Sequence, residues 1–160
     1  MGVIDDAVRL EEKAEKNYRQ AADRAQNPSA TKLLVLLADA EAGHAMALRH
    51  LDAAKDLKGP DLVAAASAWV RGVVEGGANT LSRDGGLLDL LRRAMDLERQ
   101  TEAFYREHAE GADDARIARL LGELAQAEQS HYALVSSLVE YYNRPNEWVE
   151  SAEFGLRPDY

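Results

Sequence analysis

An all-α protein, a four-helix bundle made of two helical hairpins joined by a long crossover, is the fold class this sequence predicts, and three observations predict it. Alanine, leucine, glutamate and arginine dominate, without long β-branched runs, so helix propensity is high nearly throughout. Apolar residues recur at spacings of three and four through the long segments between breakers. Residues 7–51 also lie on residues 94–138 at a constant offset of 87 without a gap, sixteen of the 45 positions being identical. Alanine and leucine identities are cheap in this composition. The shared Glu, Tyr and His positions are not.

The first helix is expected over about 4–26. Asn27-Pro28-Ser29-Ala30 then stops and restarts the chain, with Asn27 or Ser29 as cap and Pro28 in the first turn. The second helix should run over about 30–57, closed by Lys58-Gly59-Pro60. Residues 61–86 read as a crossover containing a short helix and ending in two Gly-Gly breaks. A third helix fits about 86–110, and residues 111–115 make a turn with Asp113 or Asp114 as cap. The fourth runs to about 142, before Asn143-Arg144-Pro145. This divides the chain into a bundle, 1–142, and an irregular C-terminal tail, 143–160. Trp148, Phe154 and Tyr160 give that tail a reason to pack on the bundle or on a neighbouring subunit.

The 160 residues suffice for one domain with a real core. A net charge of −9 argues against a nucleic-acid partner, which needs a basic face. No apolar run approaches the roughly 20 residues of a membrane span. Cysteine is absent, which excludes disulfides, thiolate metal sites and cysteine nucleophiles. The acidic start of the chain is unlike a signal peptide, and a cytoplasmic location is the expectation.

Two Glu-x-x-His pairs, Glu41–His44 and Glu128–His131, are repeat partners, and residues three apart share a helix face. Leu33, Leu34, Leu37 and Ala38 lead into the first pair along an apolar stripe, and Leu120, Leu121, Leu124 and Ala125 lead into the second. Glu11 lies roughly 22 Å from the first turn and His44 roughly 20 Å, at about 1.5 Å per residue. Glu11 is therefore level with Glu41 and His44, as Glu98 is with Glu128 and His131. Glutamates on a core stripe are expensive unless paired or bound to metal. Four carboxylates and two imidazoles suit two divalent cations, which would cancel the four negative charges. Mixed ligands of this kind favour iron or manganese over magnesium or calcium. Tyr18 and Tyr105, seven residues after Glu11 and Glu98, serve either as core packing or as hydrogen-bond donors to a ligand carboxylate. His50 and His108 have no repeat partner and read as incidental.

The motifs LEEKAEKNY and LERQTEAFY, with AEAGH and AEQSH, resemble those of the rubrerythrin group of the ferritin-like superfamily over about 5–140. The resemblance implies Glu11, Glu41, His44, Glu98, Glu128 and His131 as ligands of two iron ions per chain, with Glu41 and Glu128 bridging. Manganese or a mixed pair is the alternative. It also implies reduction of hydrogen peroxide to water in defence against oxidative stress, and a homodimer or larger assembly. Rubrerythrins proper append a cysteine-rich rubredoxin domain that this chain lacks, so electrons must come from a separate donor protein. They also carry a further glutamate where this sequence has Thr101. The competing expectations are a ferroxidase or iron-handling protein using dioxygen, and a non-catalytic helical interaction module stabilised by its metals.

Overall fold

The computed structural model describes residues 2–50 and 85–154, with the backbone alone from 144 onward. Four helices make up the described residues: α1 (Val3–Arg24), α2 (Pro28–Arg49), α3 (Gly85–Glu110) and α4 (Ala115–Phe154). No strand occurs among them. The short helix expected in the crossover falls outside the described residues.

Local chemistry sets the helix ends. Asp5 accepts a hydrogen bond from the Gly2 amide at 3.1 Å and places a carboxylate at the N-terminus of α1. Asn27 caps α2, its Oδ1 accepting from the amides of Ser29 at 2.9 Å and Ala30 at 3.1 Å, with Pro28 in the first turn. Asp114 caps α4 in the same way, accepting from the Arg116 amide at 2.8 Å. The Arg116 guanidinium and amide hold the Asp114 carboxyl below its ordinary value.

Two ends differ from expectation. α2 stops at Arg49, with His50 in a non-helical cap conformation, rather than near 57. Both helices of this hairpin are 22 residues long, so a longer α2 would run past the start of α1 with nothing of α1 left to pack on. The second difference concerns the C-terminus. The irregular tail expected from Asn143 is helical through Phe154. Pro145 removes one amide donor and crowds one carbonyl, but the backbone groups before and after it still bond along the helix, so α4 continues across the breaker. Packing of Trp148, Phe154 and Tyr160 lies outside the described residues.

Turns of three residues (25–27) and four residues (111–114) close the hairpins α1–α2 and α3–α4. Tyr18 of α1 bonds Glu98 of α3, and Glu11 of α1 bonds Tyr105 of α3. Position numbers that rise along α1 therefore fall along α3, so these helices are antiparallel and the two turns lie at opposite ends of the bundle.

The core falls into two clusters. One, around the first turn, gathers Tyr18, Leu33, Leu34 and Leu37 with Leu91 and Leu138. The other, toward the second turn, gathers Ala7, Leu48 and Tyr105 with Leu121 and Leu124. Each fully buried leucine contributes about 1.5–3 kcal/mol of transfer free energy. The layer between the clusters is of another kind.

Candidate metal centre

Among the described residues, the buried polar and charged side chains are Glu11, Glu41, His44, Glu98, Thr101, Glu128 and His131. All six predicted ligands are in that set. Each arrives on the apolar stripe of its helix: Glu11 from α1, Glu41 and His44 from α2, Glu98 from α3, Glu128 and His131 from α4. An α-helix turns 100° per residue, which sets His44 beside Glu41 and His131 beside Glu128 on the inward faces.

The donors form two interlocking groups. Glu11, Glu41, His44 and Glu128 bring one ligand atom each within 4.8 Å of one another, and Glu41, Glu98, Glu128 and His131 do the same. Glu41 and Glu128 belong to both. Glu41 sets Oε2 3.2 Å from His44 Nδ1 and Oε1 2.8 Å from His131 Nδ1. Glu128 sets Oε1 3.3 Å from His44 Nδ1 and Oε2 3.8 Å from His131 Nδ1. Each of these carboxylates thus divides its two oxygens between the two groups. Glu11 belongs to the first alone, 3.4 Å from His44 Nδ1, and Glu98 to the second alone, 3.8 Å from His131 Nδ1. The imidazole rings stack 5.4 Å apart.

These approaches lack hydrogen-bond alignment. Glu11 Oε2, both oxygens of Glu41, Glu98 Oε2, Glu128 Oε1 and Nδ1 of both histidines are buried without a hydrogen-bond partner. Such atoms are rare in folded proteins because each forfeits its solvation. Seven of them facing one another in one layer fit cations bound among them, and the oxygen-plus-imidazole donor set suits iron or manganese.

Tyr18 and Tyr105 are both buried at 0% exposure. The Tyr18 hydroxyl donates to Glu98 Oε1 and the Tyr105 hydroxyl to Glu11 Oε1. Sequence reasoning left core packing and carboxylate hydrogen bonding open, and both are realised. It did not foresee that each tyrosine serves the glutamate of the other hairpin. Antiparallel α1 and α3 place Tyr18 nearer to Glu98 than to Glu11 on its own helix. Thr101 is buried beside this layer, but its Oγ1 donates to the Leu97 carbonyl at 2.9 Å and adds no free donor atom. His108 Nδ1 lies 2.8 Å from the Phe104 carbonyl, away from the centre.

Burial and mutual repulsion set the electrostatics. Burial lifts Glu11 to about 7. Burial, reinforced by the charge on Glu41, lifts Glu128 to about 8. Glu41 and Glu98 are raised for the same reason. The two histidines diverge. Burial pulls His44 down, but Glu11, Glu128 and Glu41 around it prevail and hold it well above its usual value. Burial pushes His131 down to about 4, assisted by the neighbouring His44 charge. Burial and adjacent carboxylates keep the phenols of Tyr18 and Tyr105 protonated.

A family model described as Rubrerythrin matches residues 3–139. No curated protein and no solved structure matches the chain.

Proposed function

The chain belongs to the rubrerythrin family, and from that premise we propose that it reduces hydrogen peroxide to water, in the cytoplasm, at a pair of iron ions and with electrons from a separate donor protein. The observation that carries this reading is the pair of buried donor groups sharing Glu41 and Glu128. Glu11 and His44 would complete the site of one ion, Glu98 and His131 that of the other. Two ferrous ions held by these residues would supply the two electrons the reduction takes and would polarise the peroxide oxygens.

The protein does the rest. Four glutamates would offset the four positive charges of two divalent ions, which would make an otherwise costly buried cluster close to neutral. Tyr18 and Tyr105 keep their protons, so they act as fixed donors that aim Glu98 and Glu11 inward and do not serve as bases. Leu37 and Leu124 flank the layer from the two clusters and limit water. No helix among the described residues is long and apolar enough to cross a membrane.

The test is metal analysis followed by oxidation kinetics. Iron-reconstituted protein should hold two ions per chain, and its reduced form should be oxidised faster by hydrogen peroxide than by dioxygen at equal concentration. Preference for dioxygen would mark an iron-oxidising or iron-handling protein, and two ions without turnover a metal-stabilised helical module. Manganese recovered from the isolated protein would change the metal but not the ligands.

A further inference from the structure

The internal repeat supplies its own control, because every residue around His44 has a partner around His131. The two walls are not alike. The side chain of His44 is 8% exposed and that of His131 is 2% exposed, while the four glutamates are at 0–1%. In a helix, side chains lean toward the N-terminus, so a residue three positions on covers the turn before it. Ala47 stands in that position over His44, and Leu134 stands over His131. Leu134 packs on the cluster around the first turn. Next to the histidines, Gly43 has open space where a Cβ would stand, and its repeat partner is Ser130. On the far side, Ala45 is matched by Tyr132, whose ring lies under the Arg99 guanidinium at 4.8 Å and braces α3 on α4. Among the described residues, Ala47 packs with Ile4 and Val8 on the cluster toward the second turn, so the wall beside His44 carries an alanine where the opposite wall carries a leucine.

We infer that small molecules and metal ions reach the centre past Ala47, beside His44, and that Leu134 seals the opposite wall. This rests on the metal-centre reading above and adds a direction to it. A hydrogen peroxide molecule is small enough to pass beside an alanine methyl, while a leucine side chain in the same place fills more of that space. Ala47 therefore governs the entry rate and makes no bond to either group of ligands.

The experiment exchanges the two walls. Metal-free protein is mixed with cobalt(II), and uptake is followed by the visible absorption of the bound ion, with final stoichiometry measured separately. Ala47→Leu should slow uptake by about tenfold, a change of about 1.4 kcal/mol in the entry barrier, and still bind two ions. Adding Leu134→Ala to that variant should restore the rate by opening the other wall. The rate constant for oxidation of the iron-loaded, reduced protein by hydrogen peroxide should follow the same order. Unchanged uptake in Ala47→Leu, with two ions bound, would overturn the route and leave the metal centre standing. Failure of the unaltered protein to bind two cobalt ions would overturn both. If Ala47→Leu does not fold, Ala47→Met carries the same test, its flexible side chain covering His44 with less crowding.

Discussion

Glu41 and Glu128 each approach both imidazoles, so removing either one opens both donor groups at once. Glu41→Ala should abolish binding of the second ion and weaken the first severely, as metal analysis would show. The same change should leave the metal-free protein as stable as before or more stable near neutral pH, because it deletes a carboxylate that burial disfavours. The pH dependence follows from the same groups. Glu11 at about 7 and Glu128 at about 8 stand above the ordinary 4.5, so their protonated forms stabilise the fold at low pH, and that contribution is lost as pH rises through 7 and 8. His131, lowered to about 4, works the other way, but only below 6.5. Between about pH 6.5 and 8 nothing from His131 opposes the glutamates. The metal-free protein should therefore lose stability across that window, by something of order 1 kcal/mol from Glu11 alone, in urea unfolding. Tyr18→Phe and Tyr105→Phe should each weaken metal binding by about tenfold to a hundredfold, measured by competition with a chelator. Near-equal effects are expected because the two bonds are repeat partners. The buried glutamates and histidines were legible in the sequence because glutamate and histidine on an apolar stripe violate the stripe. The tyrosine partners were not, because their pairing depends on the direction of α3 relative to α1, which no local pattern records.

At the scale of the helix, the starts were more legible than the stops. Asn27 and Asp114 are capping residues wherever helices begin, and the Pro28 beside one of them suits only a first turn. Asn27→Ala should cost about 1 kcal/mol in urea unfolding and leave metal stoichiometry unchanged, since the cap lies at the far end of α2 from His44. A stop is a competition between breaker and context. α2 ends at Arg49, short of Lys58-Gly59-Pro60 and level with the start of α1, its packing partner of equal length. Pro145 marks a limit that α4 passes, because one missing amide donor does not undo the bonds on either side. In these two helices the breaker does not fix the end.

The molecule as a whole is two hairpins with a charged layer between two apolar clusters, and its stability should depend on what fills that layer. Metal in thousandfold excess over its dissociation constant should stabilise the fold by about 4 kcal/mol. Thermal unfolding before and after treatment with a chelator would measure the gain and its reversal. The division into hairpins was legible because the repeat spans both helices of each. The reciprocal tyrosine–glutamate bonds have a kinetic consequence. They join residues 80 and 94 positions apart, whereas each hairpin closes over a turn of three or four residues. Short closures are fast and long ones slow. Helix signal should thus return early in refolding, and the near-ultraviolet signal of the buried phenols in a later phase, when the hairpins dock. Until that moment the four glutamates are still in water and ionised, so raising the pH from 6.5 to 8 should slow the late phase and leave the early one alone.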